Sequence, residues 1–290
     1  MQQRNSELAV LARASFAEWG GRVAVNWIEI AAIYSVAAYF NHALGYLLAV
    51  LLLGTRQHAL AILGHEGADR FASRNRKFND LATSILVLWP LGVGLDGYRR
   101  FHFLHHRWSG GKEDPELQHK GCAPDEWARP LSRRRMAWLI ARDLCGVAIR
   151  DIFRLIKIVK PVSLADRVGP LLWWTSAILL AYRFGALWAI AVWWLATISS
   201  YWAVFRMRAW TEHFDTANTY RISATWWQKA LFLPHNTWCH FEHHKWPGVP
   251  CWNLAKARKL DTVTPIVPVG ELLQSFGEPR AEPSHQAAGV

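Results

Sequence analysis

Four long apolar runs limit what architectures this 290-residue chain can adopt. A helix needs about 20 residues to span a hydrocarbon layer of about 30 Å, which is close to the length of each run. Only Asn41-His42 separates the first two runs, and only Arg183-Phe184-Gly185 the last two. We therefore predict an all-α polytopic membrane protein with four transmembrane helices in two hairpins. The predicted spans are residues 24–40, 43–63, 168–185 and 186–205.

The distribution of basic residues predicts the orientation of these spans. Of the 33 Lys and Arg residues, only Arg183 lies in the two short turns. Nearly all the others lie in the N-terminal tail, in residues 64–165 and beyond Arg206. Since Lys and Arg are concentrated on the cytoplasmic side of membrane proteins, we predict that both termini and the basic segments are cytoplasmic. The N-terminus has no long apolar stretch followed by a small-residue cleavage site, so we predict no signal peptide.

A further segment, residues 81–96, is apolar enough to suggest a fifth span. A full crossing would place the histidines before it and after it on opposite sides of the membrane. Pro90, Gly92 and Gly94 also interrupt it, and such residues disfavour a continuous helix. We predict that the segment is re-entrant or lies in the membrane interface.

Net charge and tryptophan content resemble those of some nucleic-acid-binding proteins, because the chain carries a formal charge of +11 and eighteen Trp. Many of these tryptophans, however, lie within or near the ends of the apolar runs, where membrane proteins concentrate aromatic residues. We therefore expect no nucleic-acid partner, and expect the basic segments to face anionic lipid headgroups or an acidic protein. The tryptophans in question are Trp27, Trp173, Trp174, Trp188, Trp193, Trp194 and Trp202.

The four cysteines have no metal-binding or disulfide spacing. Cys122, Cys145, Cys239 and Cys251 all fall in the segments predicted to be cytoplasmic, and none forms a C-x-x-C pair. Disulfides are rare in that compartment, so we predict free thiols.

Histidines supply the candidate chemistry. Ten of the thirteen lie between His65 and His244, and two near-identical clusters, H-F-L-H-H and H-F-E-H-H, begin at His102 and His240. Residues three and four apart share a helix face, so the imidazoles of one cluster can converge. Metal ligation requires neutral imidazole and removes the repulsion between protonated rings. The repeated pattern therefore predicts a metal site.

The number of candidate ligands exceeds the needs of one ion. A single zinc site takes three or four ligands, whereas this chain offers eight imidazoles and one carboxylate. We infer two ions of five or six coordination, although imidazole suits Fe, Zn, Cu and Ni alike. Isolated histidines such as His42, His58 and His119 are interpreted as packed or capping residues. The candidate ligands are His65, Asp69, His102, His105, His106, His213, His240, His243 and His244.

The second of these clusters resembles the third histidine box of membrane fatty acid desaturases and related hydroxylases. The segment from His235 to Pro250 reads H-N-T-W-C-H-F-E-H-H-K-W-P-G-V-P, and that family has N-x-x-x-H-x-x-H-H followed by a P-x-V-P turn. The cluster at His102 is similar to the second box, including the downstream Glu113-Asp114-Pro115-Glu116. The resemblance covers roughly residues 40–260.

The resemblance implies a di-iron centre on a cytoplasmic helical cap, with O2 as co-substrate and hydrogen removed from unactivated C–H bonds. His65 matches the leading histidine of the first box, and His213 is similar to the extra ligand before the third box. Asn236 resembles an asparagine that reaches a metal through water. Electrons are expected from a separate ferredoxin, rubredoxin or cytochrome b5, because no fused cytochrome b5 H-P-G-G motif is present. Residues 1–275 would form one integral membrane domain, and residues 276–290 a disordered tail in which His285 is not a ligand.

One departure from the family pattern concerns the first box. The family usually has H-x-x-x-H or H-x-x-x-x-H there, whereas this chain has His65-Glu66-Gly67-Ala68-Asp69. A carboxylate at this position can bind iron as an imidazole does and lowers the charge of the site. We predict that Asp69 is a ligand; the alternative is altered chemistry or incomplete metal occupancy.

Three functions remain open from the sequence. The leading hypothesis is that an enzyme of this superfamily desaturates the acyl chain of an apolar, lipid-like substrate. The second is hydroxylation or another oxygenation of a carotenoid, sterol, alkane or specialised metabolite. The third is a zinc protein, either a non-catalytic membrane metalloprotein or a receptor-like hydrolase.

Overall fold

The computed structural model describes residues 2–216 and 218–279, and these residues are mostly helical, with almost no strand. Three helices in this part of the chain are long and apolar enough to cross a membrane: Phe16–Phe40, Ala43–Ala68, and the combined helix Leu187–His213. In chain order the helices up to the end of the first half are α1 (Gln2–Leu11), α2 (Phe16–Phe40), α3 (Ala43–Ala68), α4 (Arg76–Thr83), α5 (Leu95–Trp108), α6 (Pro115–Gly121), α7 (Pro124–Trp127) and α8 (Arg133–Leu144).

The second half contains eight further helices and two short strands. The helices are α9 (Ile149–Ile158), α10 (Leu164–Arg183), α11 (Leu187–Ile198), α12 (Ser200–His213), α13 (Trp226–Leu231), α14 (His240–Lys245), α15 (Cys251–Ala257) and α16 (Val269–Ser275). The strands, β1 (Ile222–Ser223) and β2 (Val267–Pro268), pair in parallel, with Ile222 opposite Val267.

The first predicted hairpin is present as α2 and α3. Asn41 ends α2 in the left-handed region at φ 41°, and the His42 side chain accepts a hydrogen bond from the Leu44 N–H at the start of α3. These two caps satisfy backbone groups at the turn. His42 is therefore a capping residue, as expected. The first span begins eight residues earlier than residue 24, since α2 starts at Phe16.

The second predicted hairpin differs more from the expectation. Residues 168–185 lie largely in α10, which also includes Asp166 and Arg167 in its first turn, so α10 is not among the three long apolar helices. Gly185, at φ 65°, makes the turn into α11. After a break at Ser199, α12 continues the same path to His213, well past the predicted end at residue 205.

Close packing of α3 against α12 depends on Gly54. A Cβ at this position would lie 2.4 Å from the Tyr201 backbone nitrogen and 2.2 Å from Ser200 Oγ. Ser200 Oγ donates to the Val50 carbonyl at 2.5 Å. The two helices that carry His65 and His213 are therefore held at backbone contact distance.

The segment 81–96 forms a short helical excursion. The eight residues of α4 and the five of the π-helical turn Ser84–Leu88 rise about 20 Å, less than a hydrocarbon layer of about 30 Å. The chain then turns through Gly92, at φ 73°, and α5 begins at Leu95. The His65 and His102 rings lie 4.2 Å apart, on the same side of the protein. The expectation that this segment does not cross agrees with both observations.

Two apolar cores support this arrangement. One lies between α2, α3 and α11, around Trp19, Leu60 and Trp193. The other joins α8, α12, the strands and α16, around Leu139, Trp210, Phe214 and Phe276. Phe276 falls within the tail expected to be disordered, yet it is fully buried and packs against Phe214. The tail from residue 280, including His285, lies outside the described residues. All four cysteines are free thiols, as expected.

Candidate metal centre

The two H-x-x-H-H segments lie on separate helices, and each divides its histidines between two groups. His102 and His106, four residues apart on α5, point to one group, while His105 points to the other. The segment on α14 does the reverse: His240 and His244 join His105, and His243 joins the pair from α5. A helix turns 100° per residue, so positions i and i+4 are about 40° apart around the axis, whereas i+3 lies about 60° from i in the opposite sense and about 100° from i+4. Each segment therefore supplies ligands to two neighbouring sites.

We call the first group cluster A. It combines the pair from α5 with one histidine from α14 and one from the C-terminal end of α3. The Nε2 atoms of His106 and His243 are 2.8 Å apart, and the four ligand atoms all lie within 4.8 Å of one another. Its members are His65, His102, His106 and His243.

We call the second group cluster B, and its geometry can be compared with that of a bound ion. The Nε2 atom of His213 lies 2.8 Å from that of His240, 3.2 Å from that of His244 and 3.3 Å from that of His105. Nitrogens about 2.1 Å from one ion, at bond angles between about 90° and 110°, lie about 3.0–3.4 Å apart. Two of the three distances fall in this range and the 2.8 Å distance lies slightly below it, so the residues are close to the arrangement around one cation at the centre of cluster B. Its members are His105, His213, His240 and His244.

The environment favours neutral imidazoles, the form that binds metal. Burial and the neighbouring rings lower the pKa of His106 to about 3 and hold the pKa of His240 and His243 well below the ordinary value. His105 is the exception. Burial alone would lower its pKa, but the carboxylates of Glu116 and Asp114 outweigh that effect and raise it.

Asp69 lies beside cluster A. Its Oδ1 is 2.9 Å from His102 Nε2, and its Oδ2 is 3.6 Å from His65 Nδ1. Oδ2 is buried and has no hydrogen-bond partner among the described residues. A buried carboxylate oxygen without a partner is costly, and a cation bound between these groups would remove that cost. This placement fits the prediction that Asp69 is a ligand.

Carboxylates also contact the outer nitrogens of cluster B. Asp114 Oδ1 lies 2.9 Å from His105 Nδ1 and accepts the Glu116 N–H at 2.9 Å, so it orients the imidazole while capping α6. Burial raises the pKa of Asp114, but the bonds from His105 and from the Gly110 N–H outweigh it and lower that pKa. Glu212 Oε1 lies 3.5 Å from His240 Nδ1 and accepts from Arg208 Nε at 2.7 Å. Such contacts fix ring orientation and tautomer.

Two buried carboxylates anchor α14 and the turn that follows it. Glu242, in the middle of H-F-E-H-H, is fully buried and accepts from Arg221 Nε at 2.7 Å. Arg221 also donates to the carbonyls of Arg258 and Asp261, which ties α14 to the C-terminal segment. Glu66 Oε2 accepts the Cys251 N–H at 2.7 Å, where α15 begins after the P-x-V-P turn.

Asn236 lies next to the clusters but is engaged with the protein. Its amide nitrogen donates to the Cys251 carbonyl at 3.0 Å, and its oxygen accepts from Trp238 Nε1 at 3.2 Å. It lines a cavity of about 20 Å³ whose other lining residues include His65, His240 and His243. A cavity of this size holds about one water molecule. That Asn236 reaches a metal through water stays a prediction.

The structure brings together every histidine predicted from the sequence and places Asp69 and Asn236 at their edge. It adds three carboxylates that were given no individual role: Asp114, Glu116 and Glu212. The acidic run at residues 113–116 directly after the second histidine segment, and the acidic residue preceding His213, are the sequence signals for them.

The described residues form a mostly helical protein with three helices long and apolar enough to cross a membrane and two neighbouring four-histidine clusters. The chain belongs to the fatty acid desaturase family, whose pattern matches residues 41–266. It is also similar to dihydrorhizobitoxine desaturase of Bradyrhizobium elkanii, with 26% identity over 240 residues, covering 74% of this chain and 67% of that protein. Family and relative together support an oxidoreductase of the desaturase type.

Proposed function

We propose that this protein is a membrane-bound desaturase that uses two iron ions, O2 and external electrons to introduce a double bond into an acyl chain. The observation that carries the proposal is the pair of four-histidine clusters, which share both H-x-x-H-H segments. A mononuclear zinc site takes three or four ligands, so eight converging imidazoles favour two ions over one. The chain's membership of the desaturase family favours iron.

Desaturation and hydroxylation each have a fixed stoichiometry. A bound iron pair would supply the activation of O2. For desaturation, the substrate's two adjacent CH2 groups lose one hydrogen each, and O2 with two electrons and two protons becomes two waters. For hydroxylation, one C–H becomes C–OH and O2 with the same electrons and protons gives one water. The products therefore differ by two hydrogens lost against one oxygen gained.

The protein's own residues hold and shield the site. His102 and His243 are 4% and 2% exposed and His65 and His106 are half-buried, so most of cluster A is shielded from bulk water. The small cavity beside His65 and His243 is also lined by Ile62 and Leu254, together with the polar Glu66 and Arg208. Exclusion of water and fixed positioning are the means by which a protein directs reactive cofactor chemistry.

Of the two candidate substrates, we favour an acyl chain over a specialised metabolite. The relative is named for a different substrate, dihydrorhizobitoxine, which keeps a specialised metabolite as the alternative. Hydroxylation is the second candidate reaction, favoured by the Asp69 departure in the first box. Both the family and the relative are named as desaturases, which favours loss of two hydrogens over gain of one oxygen.

Product analysis by mass spectrometry tests this proposal. The full-length protein and His243→Ala would be produced in the same host, with adequate iron, and the extracted lipids compared. We expect lipids lighter by two hydrogens only with the unsubstituted protein. Products heavier by one oxygen would establish the hydroxylase instead. One tightly bound zinc per chain, and no activity after iron reconstitution, would rule out both.

For the membrane, we propose four spans with α10 as the additional one, and a cytoplasmic site. The α10 surface exposes Leu171, Leu172, Leu179 and Leu180, which favours contact with lipid over water. Helix α9 exposes Phe153 and Ile156 beside basic residues, a pattern typical of a helix in the membrane interface. Both termini and all the candidate histidine ligands would lie on the basic, cytoplasmic side.

Cysteine labelling in intact cells tests this topology. With the exposed Cys122 and Cys145 changed to Ser, single cysteines would be introduced at exposed positions on either side. We expect an impermeant thiol reagent to label Phe184→Cys and to leave Arg74→Cys, Gln118→Cys and Gln274→Cys unlabelled. Labelling of position 74 but not position 118 would mean that residues 81–96 cross the membrane.

The electron donor is proposed to be a separate ferredoxin, rubredoxin or cytochrome b5. Arg107 and Lys112, both exposed, flank the region after the second histidine segment and would attract an acidic donor. Changing both to Glu should slow donor-dependent turnover with any of the three donors and reduce its salt dependence. Unchanged turnover rates at low salt would mean that the electron donor binds to a different surface.

A further inference from the structure

A buried arginine joins the two helices that supply most of cluster A. Arg99 lies on α5, three residues before His102, and its side chain is buried. Its Nε donates to the Ala68 carbonyl at 2.9 Å, and its Nη2 donates to the Gly67 carbonyl at 3.3 Å. These carbonyls belong to the last two residues of α3. Arg99 therefore binds the end of α3 directly before Asp69.

The carbonyls at the end of α3 need donors from outside the helix. The last four C=O groups of a helix have no partner within it, and they carry the negative end of the helix dipole, which a cation stabilises. The Gly67 carbonyl also accepts from Asn79 Nδ2 at 2.8 Å. Gly67 and Ala68 are both buried. Loss of the Arg99 side chain would therefore leave buried acceptors with fewer partners, which costs free energy.

Asp80 on α4 neutralises the buried guanidinium. Its Oδ1 accepts from Arg99 Nη2 at 2.6 Å, and its Oδ2 accepts from Nη1 at 3.4 Å. A guanidinium is planar and presents five N–H donors in fixed directions, so it can bind two carbonyls and a carboxylate at once. Lysine keeps the charge but not this planar fork. Arg99 thus connects α3, α4 and α5 through one rigid group.

The bonded carbonyls lie next to groups of the candidate metal site. His65 and Asp69 are both within three residues of them in the sequence. The His65 and His102 rings are 4.2 Å apart, and Asp69 Oδ1 is 2.9 Å from His102 Nε2. Residues three apart share a helix face, so Arg99 and His102 lie on the same face of α5. The face of α5 that binds the end of α3 is therefore the one that presents His102 to His65 and Asp69.

Cluster B depends on other contacts. None of its four histidines lies on α3. Its one member from α5, His105, is hydrogen-bonded to Asp114 at the start of α6, and the other three lie on α12 and α14. A change at the contact between α3 and α5 should therefore act on cluster A more than on cluster B.

We propose that Arg99 is a positioning residue for cluster A, which sets the distance between the end of α3 and α5 by binding the Gly67 and Ala68 carbonyls. Arg99 acts through the backbone and does not bind the metal itself. The inference rests on the proposed function, since the positioning matters for iron only if cluster A binds an iron ion.

Arg99→Lys tests the proposal, with Arg100→Lys as the matched control, because Arg100 is the next residue on α5 and is exposed. Full-length variants would be purified in detergent and titrated with ferrous iron, with Mössbauer spectra of the loaded forms. We expect Arg99→Lys to weaken binding of one iron about 10- to 100-fold, as changes to groups that hold a ligand in place do. The weakened signal should be the one that His243→Ala removes. Arg100→Lys should match the unsubstituted protein.

Asp80→Asn separates positioning from a merely structural ion pair. This change removes the carboxylate charge but leaves Arg99 bonded to both carbonyls. The Asp80 side chain is 38% exposed, and ion pairs near the surface contribute little, so iron binding should stay within about threefold of the unsubstituted protein. If Arg99 served only as a partner of Asp80, Asp80→Asn would weaken iron binding as much as Arg99→Lys, and that result would overturn the inference. An unaltered titration in Arg99→Lys, or equal weakening of both irons, would overturn it as well.

A distance measured without metal tests the positioning directly. With Cys122 and Cys145 changed to Ser, spin labels would be attached at the exposed positions of Arg74→Cys and Arg107→Cys, which follow α3 and lie near the end of α5. Double electron–electron resonance of the metal-free protein measures their separation. We expect Arg99→Lys to shift or broaden the distance distribution and Arg100→Lys to leave it unchanged. Identical distributions in the two variants would contradict the inference.

The outcome for the proposed function is read separately. If the unsubstituted protein binds no iron, the proposed function itself fails, and the metal-free distances still report whether Arg99 holds α3 against α5. If the unsubstituted protein binds two irons and Arg99→Lys binds both equally well, the inference fails and the proposed function stands.

Discussion

Clusters A and B use the same four-imidazole arrangement in different surroundings. Cluster A takes its fourth histidine, His65, from α3, and two of its members border the small cavity lined by Ile62 and Leu254. Cluster B takes His213 from α12 and faces α6, where Glu116 and Lys120 lie. Cluster A thus borders a cavity with a mixed apolar and charged lining, and cluster B borders an ion pair.

This difference would give two ions that share both H-x-x-H-H segments unlike surroundings. The histidines themselves do not produce the difference, since each cluster has four of them. It arises from which helix lies behind each cluster.

The largest expected effect comes from removing one ligand from each cluster. His243 and His244 are neighbours on α14 but belong to clusters A and B respectively. We expect His243→Ala and His244→Ala each to retain about one iron per chain and to lose more than about 100-fold of turnover, since losing a ligand costs more than losing an outer contact. Iron content and Mössbauer spectra check this, with His42→Ala as the control. Loss of the same iron signal in both variants would contradict the assignment.

Changing Asp69 tests cluster A alone. If Asp69 is a ligand, Asp69→Ala should lose the cluster A iron and nearly all turnover, while still inserting in the membrane. Asp69→His should retain both irons, because an imidazole at this position can reach the same ion. Iron titration of the two variants measures the difference. Unchanged iron content and activity in Asp69→Ala would mean that Asp69 is only a residue at the helix end.

The sequence identified which residues are the candidate metal ligands better than it identified how these ligands divide between clusters A and B. Six of the eight histidines could be found because two H-x-x-H-H segments in one chain are rare, and His65 and His213 because the family has similar residues. Their reciprocal division could not be predicted, because it depends on the relative rotation of α5 and α14. That rotation is set by contacts distant in sequence, such as Glu66 with the Cys251 N–H.

Helix boundaries, too, could be predicted only where local sequence signals set them. The first hairpin was predicted almost to the residue at its turn, because Asn41 and His42 are local signals for a helix end and a helix start. The extension of α12 to His213 was missed, since its polar residues past 205 look unlike a span. In the structure Arg206 is buried, and it is paired with Asp143 and Asp151 from other helices. These partners are not visible in a local pattern.

A smaller effect is expected from the carboxylates that orient cluster B. Asp114 lies 2.9 Å from His105 Nδ1, whereas Glu212 lies 3.5 Å from His240 Nδ1. We expect Asp114→Asn to weaken the cluster B iron about 10- to 100-fold and Glu212→Gln to weaken it less. Iron titration measures both, and the cluster A signal serves as an internal control. A larger loss with Glu212→Gln would show that distance to the ring does not set the effect.

The smallest effect should come from backbone packing at Gly54, which acts on the clusters through α12. A Cβ there would lie 2.4 Å from the Tyr201 nitrogen, so Gly54→Ala must push α12, and with it His213, away from α3. Overpacking of this kind costs about 1–3 kcal/mol. Gly45→Ala is the control on the same helix, because the nearest contact of its Cβ would be 3.7 Å.

We expect Gly54→Ala to lower the melting temperature in detergent and to weaken iron binding in cluster B by a few fold. The Gly45→Ala protein should be as stable as the unsubstituted protein or slightly more stable. His65 lies on α3 itself and keeps its place relative to α5, so the cluster A iron should be affected less. Equal weakening of both irons would mean that α3, rather than α12, moves to accommodate the methyl group.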